Sequence, residues 1–357
     1  MNIAIQTKAF STDGNAISCE KFGNGHINET LKITTDTGRT YILQRINHYV
    51  FKEPVKVMEN ISRVTGYLLE HTGDPTAALH FIPTHSGDFC HRDENGNYWR
   101  MYEFVEGFCL EAADSAEDFY ESAVAFGRFQ QQLLSFPADT LHETIPNFHN
   151  TVDRYRQLKE SIAADPKGRA AEVQKEIEFA LAHEEVGGTL QKMLEAGKLP
   201  LRVTHNDTKL NNVLLHPQTR KPLCVLDLDT VMPGLSAHDF GDSIRFGAAT
   251  AAEDEQDVSK MKLNLEYFEA YAKGFLEAAT ALTEAEVDAL PYGALIMTLE
   301  VGIRFLKDYI DGDVYFKTAY PTHNLVRCRT QLALVADMEA KWDDMCAIIR
   351  RLKMELQ

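Results

Sequence analysis

The rhythm of apolar residues changes once along this chain, and that change limits the folds open to it. Over the first hundred residues, apolar and polar side chains alternate in short runs broken by turns. The stretch AISCEKFGNGHINETLKITTDTGRTYILQRIN, residues 16–47, reads as strand, glycine turn, strand, turn, strand, with turn signals at Gly23-Asn24-Gly25 and Asp36-Thr37-Gly38. Pro54 then opens a helical pattern with Val55, Met58, Ile61, Val64 and Leu68 at helical spacing. LHFIPTHSG and NYWRMYEFVEG read as two further strands around a turn.

From about Glu111 the period becomes helical. SAEDFYESAVAFGRFQQQLLSF, TVDRYRQLKESIAA, GRAAEVQKEIEFALAHEEVGGTLQKMLEAG and TEAEVDALPYGALIMTLEVGIRFLKDYI all read as helix, the last opened by a capping box from Thr283 to Glu286. The expectation is an α+β fold. A small antiparallel sheet with one helix occupies residues 1–106, and a larger, mainly helical part occupies residues 107–357. The boundary falls at Val105-Glu106-Gly107.

Charge narrows the partners. A formal net charge of -17 gives no general attraction to nucleic acid or anionic lipid, so an anionic ligand needs a metal ion, a basic side chain or backbone N–H groups. The six cysteines are scattered and form no CxxC pair, which reads as mostly buried, reduced thiols. MNIAIQTKAF has neither a basic n-region nor an apolar h-region, and no uninterrupted apolar run approaches membrane-spanning length. A cytoplasmic location is the default expectation. The histidines of HTGDPTAALH and HSGDFCH show no zinc-ligand spacing.

One stretch, VTHNDTKLNNVLLHPQTRKPLCVLDLDT (residues 203–230), concentrates small oxygen ligands beside two short apolar runs. NVLL and LCVLDLD read as strands joined by the turn HPQTRKP. Asp207 and Asn212 then precede the first strand, while Asp227 and Asp229 end the second, so the hairpin returns them toward one end. Magnesium favours such hard oxygen ligands, takes one or two carboxylates, and keeps positions for phosphate oxygens and water. Asn212 and Asp227 can serve as its ligands. Asp207 is left to accept a hydrogen bond from a substrate hydroxyl, and D-x4-N followed by a hairpin and an aspartate is the arrangement of phosphoryl transfer.

Other candidates are less specific. The literal Asp239-Phe240-Gly241 comes too late after Asp207 and has no strand before it, so Asp239 reads as a helix cap or a support for the loop, with Asp242 similar. Gly23 and Gly25 suit either an ordinary hairpin turn or a backbone approaching phosphate. Glu300, Arg304 and Asp308 fall at i, i+4, i+8, which fits a solvated ion-pair ridge or a substrate-facing side.

THNDTKLNN with LDLDTVMPG resembles the aminoglycoside phosphotransferase and choline kinase superfamily, which is protein-kinase-like. GNGHIN, YILQRIN, HDFGDSIRFGA, GIRFLKDYIDGDVYF and YPTHNLVRCRTQ extend the likeness toward the N-acetylhexosamine 1-kinases, from about Phe22 to Glu339. The resemblance implies a two-lobed fold, a sheet lobe over a helical lobe, with ATP between them. It implies Mg2+ and ATP as cofactor and co-substrate, Asp207 as catalytic base, and Asn212 and Asp227 as magnesium ligands. His26, Arg304 and Tyr315 would meet the sugar, with Asp227 sharing that role. Gly23, Gly25, Gln44, Glu103 and Val105 would line the nucleotide, the last two through their backbone in YEFVEG.

One departure stands out. Kinases of this fold place a Lys or Arg on the third strand, facing the phosphates, whereas the inward position of YILQRIN falls on Gln44 when Ile42 and Gln44 share a face. Glu59 is the candidate for the helix glutamate that pairs with that cation. The expected activity is phosphorylation of the anomeric hydroxyl of GlcNAc or GalNAc. The alternatives are a same-fold kinase for choline, homoserine or an aminoglycoside, and a non-catalytic nucleotide-binding regulator. No motif specifies an oligomeric state.

Overall fold

A computed structural model describes residues 4–23 and 27–356. Gly25 and His26 therefore lie outside the described residues. The chain forms two compact units that interleave in sequence. One comprises Met1–Cys109, Ser135–Pro146 and Val213–Pro233, the other Leu110–Leu134, Asn147–Asn212 and Gly234–Gln357.

The first unit opens with α1 (Ala4–Thr7), β1 (Ala16–Lys21), β2 (Glu29–Thr35), β3 (Thr40–Ile46), α2 (Pro54–Thr72), β4 (His91–Arg92) and β5 (Tyr98–Glu103). The strands form one sheet in the order β1-β2-β3-β5-β4, with every pair antiparallel. Alternation along the strands buries Leu31, Ile33, Tyr41, Leu43, Trp99 and Met101 against Phe10 on one face. The other face carries Gln44 opposite Arg100, and Sδ of Met58 from α2 lies 3.8 Å from the Arg100 guanidinium. Pro54 fills the first turn of α2, and Gly73, at φ 65°, ends it. Val55 of the expected apolar stripe is exposed, and Val57 is buried in its place.

Leu79–Gly87 does not form the expected strand. It makes single bridges, Phe81 with Tyr102 and Thr84 with Phe10, because Pro83 has no N–H to continue a ladder. Among the described residues the cysteines form no disulfide, but they are not mostly buried as expected: only Cys224 and Cys328 are. Cys19, on the outer edge strand, and Cys109 are exposed.

The second unit holds α3 (Ala116–Gln132), α4 (Thr151–Ala164), α5 (Gln174–Ala182), α6 (Glu184–Gly187), α7 (Thr189–Glu195), β6 (Arg202–Thr204), α8 (Ser236–Gly247), α9 (Leu265–Ala278), α10 (Glu284–Asp311), α11 (His323–Ala340) and α12 (Trp342–Glu355). Its axis is α10, which packs on α8, α11 and α4. The capping box is present, with Thr283 Oγ1 accepting from the Glu286 backbone and Glu286 accepting from that of Thr283. A Cβ on Gly241 would stand 2.1 Å from the Gly293 carbonyl oxygen, and one on Gly293 would stand 2.1 Å from that of Ala237. The α8–α10 crossing therefore requires both glycines. Among the described residues α10 is the one helix long and apolar enough to cross a bilayer, and its burial inside the protein accounts for that composition.

After Asn212 the chain re-enters the first unit through the expected hairpin, β7 (Val213–Leu215) paired antiparallel with β8 (Pro222–Val225). The Asp227-Leu228-Asp229 segment follows directly.

Candidate active site

In the second unit, β6 delivers His205, Asn206 and Asp207 into a loop that α8 holds by its backbone. Asp239, fully buried, accepts the N–H of Asn206 at 2.7 Å and of His205 at 2.9 Å, and also the Gln130 amide at 2.7 Å. Asp242 accepts the Thr208 N–H at 3.0 Å and is itself clasped by Arg245. Ser243 donates to the Thr208 carbonyl at 2.6 Å. Asn206 sits at φ 65°, a left-handed conformation that asparagine tolerates better than most side chains. Asp239 and Asp242 are thus supports of the loop, and Gly241 serves the helix crossing.

The loop presents Asp207 half-buried. Its Oδ1 lies 2.8 Å from Lys209 Nζ, and its Oδ2 and carbonyl receive the Asn212 amide at 3.3 and 2.8 Å. Burial pushes the Asp207 carboxyl up, but the Lys209 ammonium together with the His205 and Arg245 charges outweighs it and holds the group below the ordinary carboxylate range. Asp207 is therefore an ionised acceptor at neutral pH. Asn212 spends its amide N–H groups on Asp207, and its Oδ1, which has no hydrogen-bond partner among the described residues, is a neutral oxygen that could hold a cation. No group of three or more His, Cys, Asp or Glu is arranged to hold a metal ion among the described residues. The residues present fit a hard cation that takes few protein ligands.

The same unit places Arg304 half-buried on α10. Its guanidinium lies over the rings of Phe148, Tyr315 and Phe316 at 5.6, 5.8 and 5.5 Å and makes no ion pair among the described residues. Tyr315 is 66% exposed, free to cover a ligand. Its loop is held by Asp308, which accepts the N–H groups of Val314, Tyr315 and Phe316 at 2.8 to 3.0 Å. Glu300 is buried and accepts from Thr151 at 2.6 Å, with His149 Nδ1 at 2.9 Å. Nε2 of the same ring is 3.1 Å from the Asn206 carbonyl. Glu300, Arg304 and Asp308 are thus no solvated ridge. The two carboxylates are buried and serve the loops. Arg154, beside Arg304, has its Nη2 on the Phe148 carbonyl at 2.6 Å and a buried Nε with no partner. Burial and the neighbouring Arg304 charge lower its pKa.

In the first unit, Asp227 adopts φ 54°, ψ 57° at the end of the hairpin. Gln44 does lie on the face opposite the sheet core, but it is no phosphate ligand in waiting: Nε2 donates to Thr30 Oγ1 at 3.0 Å and Oε1 accepts from Arg100 Nε at 2.9 Å. Arg45 pairs with Glu29 on the other side. Glu59 turns to His142 at 2.6 Å rather than to any third-strand cation. Gly23 has φ 73° and open space where a Cβ would stand. The Glu103 N–H goes to the His80 carbonyl at 2.9 Å, leaving its carbonyl, and Val105 makes no backbone hydrogen bond among the described residues.

Residues 18–282 match the phosphotransferase enzyme family. The chain belongs to that family. Solved structures agree in fold. An amicoumacin kinase in complex with AMP-PNP, Ca2+ and Ami matches at a TM-score of 0.63 and 14% identity, covering 93% of this chain and 92% of that one. A microcompartment-associated aminopropanol kinase matches at 0.65 and 15%, covering 96% and 98%. A choline kinase from Cryptosporidium parvum Iowa II matches at 0.56 and 12%, covering 94% and 93%.

Within this phosphotransferase, three residues escaped the sequence reading. Lys209 is two positions from Asp207, and its alignment in D-x-K was the available signal. Arg154 and Arg100 carried none, since each gains its meaning from a partner distant in sequence.

Proposed function

We propose that this phosphotransferase moves the terminal phosphoryl group of Mg-ATP to the anomeric hydroxyl of an N-acetylhexosamine. Asp207 orients that hydroxyl and takes its proton. Asn212 and Asp227 are the magnesium ligands, and the ion would neutralise charge on the phosphate oxygens. Gly23 and Gly25 lend backbone to the phosphates. The Glu103 carbonyl and Val105 N–H match the adjacent donor and acceptor on the adenine edge. His26, Arg304, Tyr315 and Asp227 meet the sugar. The reaction belongs in the cytoplasm, where ATP is at hand.

The observation that supports the acceptor choice is the net positive charge around Arg304. Arg154 stands beside it, neither guanidinium makes an ion pair among the described residues, and the single carboxylate of Glu300, which also accepts from Thr151, offsets only part of the two charges. Such surroundings repel a cation. Kinases of this fold named for choline and aminopropanol act on positively charged amines, so the same fold here suits a neutral, oxygen-rich acceptor. Tyr315 adds an aromatic face for a sugar ring.

Phosphorus NMR of the protein with Mg-ATP and N-acetylglucosamine, N-acetylgalactosamine, choline, ethanolamine or no acceptor tests this. A sugar 1-phosphate resonance supports the proposal. Phosphocholine or phosphoethanolamine in its place refutes it.

A further inference from the structure

The Asp227-Leu228-Asp229 segment carries a second carboxylate that the proposed magnesium site does not use. Asp229 is buried, and both its oxygens meet the guanidinium of Arg100, which is equally buried. Nη2 is 3.1 Å from Oδ2, and Nη1 contacts Oδ1. Asn28 Nδ2 donates to the same Oδ2 at 2.6 Å, and Asn28 Oδ1 accepts the Asn47 N–H at 2.9 Å. Arg100 Nε reaches Gln44, and Gln44 reaches Thr30. One carboxylate, two positions after Asp227, is thus bonded to Asn28, the first residue after FGNGHI, and to Arg100 of β5, and through Arg100 and Gln44 to β3. Every member lies in the first unit.

Taking two charges out of water is expensive, so a buried ion pair is weak evidence for stability and is better read as fixing one arrangement among several. What it fixes here is the backbone on either side of Leu228. Asp227 is held left-handed, a conformation that is unfavourable for a residue with a side chain. Val231, on the far side, has its carbonyl taken by Asn60 at 3.0 Å. Two aspartates so close would also repel each other, and Arg100 is the fixed cation that offsets this, feeling Asp229 most and Asp227 as well.

We propose that Asn28, Arg100 and Asp229 form a positioning clamp that ties Asn28, at the entry to β2, and β5 to the Asp227-Leu228-Asp229 segment. Asp227 then keeps a fixed place relative to the sheet. Arg100 supplies from β5 the fixed positive charge that the third strand lacks at Gln44, and it acts through Asp229 rather than on phosphate. The proposal rests on the reading of Asp227 as nucleotide-binding.

Asn28→Ala is the primary test, since it removes one arm of the clamp and leaves the ion pair intact. The expected result is a KM for Mg-ATP raised about tenfold with kcat nearly unchanged, from the loss of the hydrogen bonds to Asp229 and from the Asn47 N–H. Tm should fall by only a few degrees. Amide exchange in peptides covering 27–35 should quicken in the nucleotide-free protein, a readout independent of turnover. Arg100→Gln should lower kcat/KM for Mg-ATP more, and Gln44→Lys added to it should restore several-fold by returning a cation to β3. If Arg100→Gln fails to fold, Asn28→Ala decides alone. An Asn28→Ala protein with wild-type KM and wild-type exchange overturns the clamp. A wild-type protein that binds no Mg-nucleotide by calorimetry overturns instead the nucleotide reading on which the clamp rests.

Discussion

Asp239 accepts the backbone N–H of Asn206 at 2.7 Å, and that bond, with its companion to His205 at 2.9 Å, fixes the course of the loop that ends at Asp207. An amide in place of this carboxylate would turn one accepting oxygen into a donor facing an N–H. Asp239→Asn should therefore lower kcat by roughly 10- to 100-fold, with a smaller change in KM for ATP, and cost about 2 kcal/mol of stability. Steady-state kinetics beside a urea titration checks both parts.

His238 gives the fold an acid limit. It is buried beside His149, and burial first, then that neighbour, pulls its pKa from 6.5 down to about 3, with Glu300 opposing. The unfolded chain binds a proton near pH 6.5 that the folded chain refuses until about pH 3. Stability is complete above 6.5 and falls as pH drops between those values, by roughly 5 kcal/mol in total. His238→Asn should lose less between pH 7 and pH 4 than the wild type in parallel unfolding curves. Curves that fall together would contradict this.

Arg304 makes no ion pair among the described residues, so its loss should spare the fold and strike the acceptor. Arg304→Met should keep Tm and the KM for ATP, and lower kcat/KM for the sugar about 100-fold, the scale of losing two charge-assisted hydrogen bonds. Initial rates at varied sugar concentration read this directly.

Much of the architecture was legible because it rests on local periodicity. The alternation in residues 16–47, the hairpin after Asn212 and the capping box at Thr283 each need only neighbours in sequence. Leu79–Gly87 misled because apolar content promises a strand where Pro83 forbids a ladder. The interleaving of the two units was invisible, since it depends on where the hairpin and residues 135–146 pack rather than on their composition. In the site, Gln44 was the inward position of the third strand only on the condition that Ile42 and Gln44 share a face. What stands beside it was not legible: Arg100 pairs with Gln44 across the register and with Asp229 across 129 residues, and no spacing rule announces either. Asp239 could be seen to be something other than a metal ligand, yet its hold on the loop appears only once α8 is packed.

The measurement closest to the central claim is acceptor-dependent ADP release by wild type and Asp207→Asn, with Mg-ATP binding measured on both. Asp207 lies 2.8 Å from Lys209, is ionised at neutral pH, and is the group proposed to take the acceptor's proton. The account predicts turnover in the wild type and a loss of at least about 100-fold in the variant, with nucleotide binding retained. Turnover undiminished in Asp207→Asn would contradict it.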